Sequence, residues 1–468
     1  MSLLARCSNA VRRCRGIIPL PLMLIAGIAV CSAPAKAEQD APADFWHRDT
    51  LTGDWGGLRT ALVEQGITIT ATYTGEVFSN VQGGMKRGSS YDGLFLPQVD
   101  VDLEKLLGWQ GATFRASMIQ GHGPSISQGW VGNFLGASST VVIPPATRLY
   151  NLWLQQNLFN DVLSIRAGMM NVDAEFLTSA TASLFMNTTL GWPGLAALDL
   201  PGGGPAFPLS APGVRVKLSP APEGIYFQGA VFSGDPTGHN GSNSLSTSIP
   251  NGTVVSFNGG AFIIAELGYA VNQAKDAKGP PAAYKLGGWY HTSNRFQDQR
   301  FDSSGLSLAN PASTGIPRNH NGDWGLYGMV DATILQIDGG GTLAAFARLA
   351  GSPGDRNLIS FYGDAGLTYK GLIPGRDDDT VGLAVAYARI GGNARGLDQD
   401  TQVFSNPFFP VRDHETVLEL TYQAQVTPWM TLQPTLQRVF HPGGNVLNPD
   451  GSIRRDALIL GLRSALTF

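Results

Sequence analysis

Charged and aromatic side chains recur at alternate positions in several segments of this chain. Glu76, Arg115 and Arg166 lie in segments where apolar residues occupy the other parity. Trp153 and Trp289 share the polar parity of their own segments. An aromatic ring offers a flat apolar surface to the C–H face of a sugar, whereas Arg and Glu bond its hydroxyl groups. These five residues are the candidate solute-binding residues, although packing against other parts of the chain would explain the two rings equally well.

The segments that would position these residues share one pattern, which is clearest at the end of the chain. In residues 456–468 one parity is apolar, and the other is small or polar. The apolar parity holds Leu458, Leu460, Leu462, Leu466 and Phe468, and the other holds Gly461, Arg463, Ala465 and Thr467. A period of two indicates a strand with one apolar face. A soluble domain rarely exposes such a row, whereas a transmembrane β-barrel turns it towards lipid. From this stretch alone, an ordinary sandwich strand stays open as the alternative.

Similar alternation recurs along the chain and predicts sixteen strands in all. The first begins at Ile67, and the others are predicted at residues 94–104, 111–121, 147–157, 162–170, 213–219, 224–233, 260–270, 283–293, 323–334, 340–350, 360–370, 379–390, 414–426, 430–440 and 457–468. Bacterial outer-membrane barrels have an even number of strands. We therefore predict an all-β fold, a 16-stranded antiparallel transmembrane β-barrel with a short N-terminal periplasmic helical segment.

The connections between the predicted strands support this layout. Those after the even strands are mostly short, whereas those after the odd strands are mostly long and rich in Gly, Pro, Ser and Asn. The long connections are 79–93, 122–146, 171–212, 234–259, 294–322 and 391–413. Short periplasmic turns and long outer loops are typical of outer-membrane barrels, and this arrangement puts both termini in the periplasm. Residues 171–212, with LPGGGP at 200–205, are our choice for a loop that folds inward.

Three regions are predicted along the chain. Residues 1–37 are interpreted as a signal peptide, with a basic start, an apolar stretch from Ile17 to Val30 and an Ala35-Lys36-Ala37 cleavage site. Residues 38–66 form an N-terminal periplasmic segment, in which Asp54 caps a helix over 58–65 and Gly66 ends it. Residues 67–468 form the barrel.

Composition excludes several classes of function. All three cysteines lie in residues 1–37, so the mature chain has no disulfide and no thiol chemistry. The mature chain carries 27 Lys and Arg against 36 Asp and Glu, a net charge of −9, which argues against a nucleic-acid partner. There is no G-x-S-x-G, H-E-x-x-H or P-loop motif, and the seven histidines are scattered. We therefore expect no enzyme, no cofactor and no metal.

Mid-strand charges must face the interior of such a barrel, because a charge on the lipid face at mid-bilayer costs about 2–4 kcal/mol. This assigns twelve residues to the lumen: Glu76, Asp100, Asp102, Arg115, Arg166, Arg215, Lys217, Glu266, Lys285, Arg348, Glu419 and Arg463. Both signs are present, which would give a transverse field and a hydrogen-bonding cage. The alternative for any single residue is a solvated wall position without a special role.

Four stretches of the chain resemble the carbohydrate-selective porins of the OprB type. They are LTGDWGGLRTALVEQGITITATYTGEVFSNVQGG at 51–84, LTYKGLIPGRDDDTVGLAVAYARI at 367–390, ETVLELTYQAQVTPWMTLQPTLQRVFHPGG at 415–444 and, more weakly, RAGMMNVDAEFLTSATASLFMN at 166–187. The resemblance implies an outer-membrane porin for passive, selective diffusion of glucose-like monosaccharides. It also implies a constriction lined by Arg and Glu, with Glu76 as the acidic member and Arg115 as the basic one.

The resemblance leaves some alternatives open. A general diffusion porin with little sugar selectivity is the nearest functional alternative, followed by an enzyme in a barrel and a structural barrel. The family suggests a monomer, while a homotrimer is the alternative because porin trimers are common. The expected partners are small carbohydrates and outer-membrane lipid.

Overall fold

The computed structural model describes residues 44–468, except 238–250, 254, 256, 258, 275, 276, 278 and 338–340. The predicted signal peptide, residues 1–37, lies outside the described residues. Among the residues that the structure describes, no helix is long and apolar enough to cross a membrane.

Within these described residues, sixteen antiparallel strands close into one barrel, as the alternating pattern predicts. In chain order they are β1 (Ile67–Gly84), β2 (Gly88–Asp102), β3 (Ala112–His122), β4 (Ala146–Leu158), β5 (Leu163–Met170), β6 (Ala211–Leu218), β7 (Gly224–Ser233), β8 (Ala261–Val271), β9 (Ala282–His291), β12 (Asp323–Gln336), β13 (Thr342–Gly351), β14 (Ile359–Lys370), β15 (Thr380–Ile390), β16 (His414–Thr427), β17 (Met430–Phe440) and β18 (Arg455–Thr467). Two further strands, β10 (Phe296–Asp302) and β11 (Pro317–His320), form a separate hairpin.

The last strand closes the barrel against the first. Glu76 of β1 lies opposite Arg463 of β18, and Phe78 lies opposite Gly461. Leu460 and Leu462 are exposed on the outer face. The apolar parity of the C-terminal stretch therefore faces outwards, and the chain end leaves no open edge between β1 and β18.

The loop pattern is largely as expected, with one clear error. The predicted loop 79–93 is wrong, because β1 continues to Gly84 and β2 begins at Gly88. Their Ser79 and Ser89 hydroxyls meet at 2.7 Å. Gly, Ser and Asn in this stretch indicate a loop by composition, whereas strand pairing with β18 and β2 extends the ladder through it.

The helices are short, and all of those described lie in segments before or between the barrel strands. They are α1 (Leu58–Glu64), α2 (Leu103–Leu107), α3 (Thr188–Gly191), α4 (Gly194–Asp199), α5 (Gly392–Phe404) and α6 (Pro442–Asn445). The helix predicted before the barrel is present as α1, where Asp54 Oδ1 accepts a hydrogen bond from Thr60 N at 2.9 Å. Gly66 follows it at a φ of 88°, a conformation that favours glycine. The hairpin β10–β11 and helix α5 lie in two long connections for which the alternating pattern predicts no structure.

The connection between β5 and β6, residues 171–210, folds into the lumen. It contains α3, α4 and three single turns of 3₁₀ helix, Val172–Ala174, Ala182–Leu184 and Pro201–Gly203. Its apolar side chains share one buried cluster with inward-facing wall residues. The loop contributes Phe176, Leu177, Phe185, Met186, Leu190, Trp192 and Leu195, and the wall contributes Ile264, Trp289, Tyr327, Phe346 and Tyr362. We call residues 171–210 the inward loop.

Candidate functional site

Acidic residues of the wall hold the inward loop through its backbone. Glu266 accepts from Leu177 N at 3.2 Å. Glu419 accepts from Met186 N at 2.8 Å and from Asn187 N at 2.9 Å. These N–H groups have no helical partner, and an unpaired buried N–H costs about as much as a lost hydrogen bond. Two of the charged residues predicted to line the lumen, Glu266 and Glu419, therefore hold the inward loop in place.

Arg348 of β13 also holds this loop, but with a positive charge that donates to backbone carbonyl groups. It is 1% exposed and pairs with Asp364 of β14 in the register of the sheet. Its guanidinium also donates to four carbonyl oxygens of the loop, at 2.7–3.2 Å: those of Leu177, Thr189, Leu190 and Gly191. A planar group with five donors suits this convergent arrangement.

The inward loop carries a buried carboxyl group of its own. Asp199 accepts from Ile359 N at 3.1 Å and from the Ser352 hydroxyl at 2.9 Å. Burial raises the pKa of Asp199 well above its usual range, because the ionised form is removed from water. This group therefore stays protonated to a higher pH than a solvated Asp does.

A second set of wall charges stays partly open to water. Asp100, Arg115 and Trp153 lie opposite one another across β2, β3 and β4. One step further round the wall, Gln155 lies opposite Arg166. Arg115 pairs with Asp100 at 2.5 Å, and its side chain is 35% exposed. Period-two alternation brings these side chains to the same face, as the sequence predicts.

Trp153 supports the arginines on either side of it. The Arg166 Cζ lies 4.0 Å from the ring centroid of Trp153, and the Arg115 Cζ lies 5.2 Å from it, both within range of a cation–π interaction. Gly168 lies opposite Trp153 at a φ of 140°, and a Cβ there would stand 2.9 Å from the Cβ of Trp153. The ring is 7% exposed, so it offers its surface to the arginines.

The inward loop completes the site with Glu175, which pairs with Arg166 and, at 2.6 Å, with Arg215 of β6. Gln155 accepts from both arginines, at 2.7 Å from Arg166 and 2.9 Å from Arg215. We call Arg115, Trp153, Arg166, Glu175 and Arg215 the arginine cluster.

The arginine cluster borders an open cavity of about 590 Å³. Lys217, Lys285 and Ser164 add further polar groups to its lining, and Asp161 and Ser219 place it towards the short turns. A cavity of about 650 Å³ lies towards the long loops, where Phe296, Gln297, Gln299, Asn319 and Asn357 contribute to its lining. The inward loop lines both cavities. Fixed donors and acceptors around water-filled space can replace the hydration shell of a polar solute, while the filled lumen limits its size.

Comparison with known proteins identifies the architecture. Residues 86–468 match the model of a family described as carbohydrate-selective porin, OprB family. The chain belongs to this family. Porin B of Pseudomonas aeruginosa is 27% identical over 448 residues, which cover 90% of this chain and 92% of that protein. A putative porin, QuiX, of Acinetobacter baylyi is 24% identical over 462 residues, which cover 94% and 98%.

The solved structures agree with the fold. The high-pH structure of Pseudomonas putida OprB has a TM-score of 0.79 and 24% identity, covering 91% of this chain and 100% of that chain. This likeness supports the barrel fold, and membership of the family makes the chain a carbohydrate-selective porin of the outer membrane, a transport channel. By the layout of outer-membrane barrels, its short turns face the periplasm and its long loops face outwards.

Two of the candidate solute-binding residues of this porin lie away from the arginine cluster. Glu76 has no exposed surface, pairs with Arg463 at 2.5 Å and accepts from the Ser138 hydroxyl at 2.5 Å. It lies opposite Asp92 on β2, whereas Arg115 lies opposite Asp100. Asp92 and Asp100 are therefore about 26 Å apart along β2 at the usual rise per residue. The structure therefore does not bring Glu76 to Arg115.

Trp289 lies inside the buried cluster under the inward loop. Its ring centroid is 6.1 Å from that of Phe262, and little of its surface is exposed. Its inward parity is the predicted one, but the space in front of it is filled by protein.

Sequence reasoning missed Glu175, which supplies the carboxylate of the arginine cluster. Parity reasoning works only inside strands, and Glu175 lies in a loop. The one feature that could have indicated Glu175 is its position in the stretch at 166–187, which resembles the family, nine residues after Arg166.

Proposed function

We propose that this porin selects glucose-like monosaccharides at the arginine cluster. The observation that supports it most is the arrangement of Arg115, Arg166 and Glu175 around one water-accessible cavity, with Trp153 between the two arginines. A sugar has no net charge but many donors and acceptors. Arg offers five fixed donors and Glu offers acceptor oxygens, so the cluster can bond several hydroxyl groups as the sugar sheds water.

Each residue has a separate role in this proposal. Arg115 is the most exposed arginine of the cluster and donates to the sugar directly. Glu175 accepts from the sugar and holds Arg166 and Arg215 in place. Trp153 is a positioning residue, because its ring already lies against two guanidinium groups. In this proposal Glu175 takes the acidic role that the family resemblance implies for Glu76.

The transport mechanism is filtered passive diffusion. Binding must be weak, because a tight site would not release its solute. Neither a cofactor nor a catalytic step is required. The inward loop favours this over unselective diffusion, because it narrows the lumen and brings Glu175 opposite the wall arginines.

We also propose that the porin acts as a monomer, in keeping with the family resemblance. Because the complete solute site described above lies within a single chain, no partner subunit is needed for it. Light scattering of the detergent-solubilised protein should give the mass of one mature chain. A mass of three chains would contradict the proposal.

Replacement of Arg115 with Ala is expected to weaken the block of ion current by glucose on the order of tenfold, because a hydrogen bond to a charged group contributes about 1.5–3 kcal/mol. Ion conductance should stay equal or rise, since the passage widens. Trp153→Ala should also weaken the block, because Arg115 and Arg166 lose the ring that supports them. The measurement is glucose titration of single channels in planar bilayers.

Arg389→Ala is the matched control for this experiment. Arg389 lies near the end of β15 and is exposed, on the parity opposite to the buried Ala388. Its loss should leave the glucose block unchanged. If the block is also unchanged in Arg115→Ala and Trp153→Ala, the filter lies elsewhere in the channel and the proposed site is wrong.

A further inference from the structure

Two histidines that are distant in sequence meet one aspartate at the outer rim of the barrel. His414 Nδ1 lies 3.1 Å from one carboxylate oxygen of Asp413, and His441 Nδ1 lies 3.2 Å from the other. One ligand atom from each of the three residues lies within 4.8 Å of the other two. We propose that Asp413, His414 and His441 form a binding site for a divalent transition-metal ion such as Zn²⁺.

The fold explains why these residues meet. Asp413 ends the connection that contains α5, and His414 begins β16. His441 follows β17, which pairs with β16 through Thr416 and Phe440. The Asp413 N–H donates to the carbonyl of Gly444 at 3.1 Å, which fixes the two connections side by side. A metal ion bound here would join the ends of these two outer loops.

The ligand set favours a transition metal over Ca²⁺ or Mg²⁺. Imidazole nitrogen suits Zn²⁺, Cu²⁺ and Ni²⁺, whereas Ca²⁺ and Mg²⁺ take oxygen ligands. Tetrahedral Zn²⁺ with bonds of about 2.0–2.1 Å places its ligand atoms about 3.4 Å apart, so the observed spacing needs only a small closure of the side chains. Water would fill the fourth position. The ion would displace the protons from the two Nδ1 atoms, leaving each imidazole neutral and protonated at Nε2.

The surroundings permit entry of an ion from outside. The side chains of Asp413, His414 and His441 are 37%, 30% and 40% exposed. His414 lies opposite Arg389 and stacks on Tyr387 with ring centroids 5.2 Å apart. Next to the site, Arg438 lies 3.7 Å from Asp456. Asp456 also accepts a hydrogen bond from the His441 N–H at 3.1 Å.

The test is titration of Zn²⁺ into the full mature chain in detergent, without an affinity tag, followed by calorimetry, with Co²⁺ absorption as a second probe. We expect one equivalent of Zn²⁺ per chain, reversed by a chelator. His414→Ala and His441→Ala should each weaken binding at least tenfold, and Asp413→Asn should weaken it as well. The heat-dependent shift in gel mobility shows whether each variant keeps a closed barrel. We expect all three variants to keep it, because these side chains lie at the rim and not in the barrel interior.

His47→Ala is the matched control, because His47 is exposed and also pairs with an aspartate, Asp44, with a distance of 2.7 Å between Nδ1 and Oδ1. Binding that is lost in the His414 and His441 variants and kept in His47→Ala supports the proposal. Binding that is absent in the wild type, unchanged in the His414 and His441 variants, or equally weakened by His47→Ala would overturn it. In the last case the ion would be held by exposed histidines in general.

Discussion

Deletion of residues 457–468 is expected to abolish assembled porin in the outer membrane. These residues form almost all of β18, which pairs with β1 on one side and with β17 on the other. Their removal would open two strand edges within the hydrocarbon region. Each unsatisfied backbone group there costs several kcal/mol, and the two edges together expose many of them. The sum far exceeds the usual stability of a folded domain, about 5–15 kcal/mol.

The measurement is the amount of heat-modifiable protein in outer-membrane fractions, because a closed barrel migrates differently before and after boiling. Deletion of residues 303–314, which is equal in length, is the matched control. These residues connect β10 to β11, a hairpin separate from the barrel sheet. The control should assemble. Normal membrane levels of the chain lacking 457–468 would show that β18 is dispensable for closure.

The barrel wall could be predicted from the sequence because the information is local. Lipid on one side and water or protein on the other impose a period of two on each strand. The outward Leu460 and the inward Arg463 therefore follow from residues within a few positions of each other. The helix before the barrel is predicted for the same reason, since Asp54 bonds to Thr60 only six positions away.

The interior could be predicted only in part, because its contacts join residues far apart in the chain. Parity places Glu419 in the lumen, but nothing local reveals that its oxygens bond to the backbone of Met186, 233 positions away. The same limit applies to Glu76, which faces inward as predicted but is covered by Ser138 and Arg463. Direction towards the lumen is thus a property of the strand, whereas access to solute depends on which loop occupies the space in front of it.

Arg348 donates to four carbonyl groups of the inward loop, and Arg348→Met is expected to release the loop. The substitution removes four hydrogen bonds to loop carbonyls and leaves Asp364 as a buried charge without its cation. Breaking a buried ion pair on one side costs about 3–5 kcal/mol. The sixteen-stranded wall should persist, because its ladders do not include this side chain. The lost stabilising free energy therefore weakens the packing of the inward loop against the wall.

In single-channel recordings, Arg348→Met should raise ion conductance, because the inward loop no longer fills the lumen in a fixed way. Glucose block should fall as well, since Glu175 moves with the loop and leaves Arg166 and Arg215. Arg115→Ala leaves the loop in place, so its conductance should rise less than that of Arg348→Met. The double variant Arg348→Met/Asp364→Asn should recover part of the packing, because it removes the uncompensated charge while Tyr362 keeps a bond to residue 364, 2.7 Å long in the parent. The matched control is the same substitution at exposed Arg389, Arg389→Met. If conductance and glucose block in Arg348→Met equal those of this control, the contacts of Arg348 do not hold the loop.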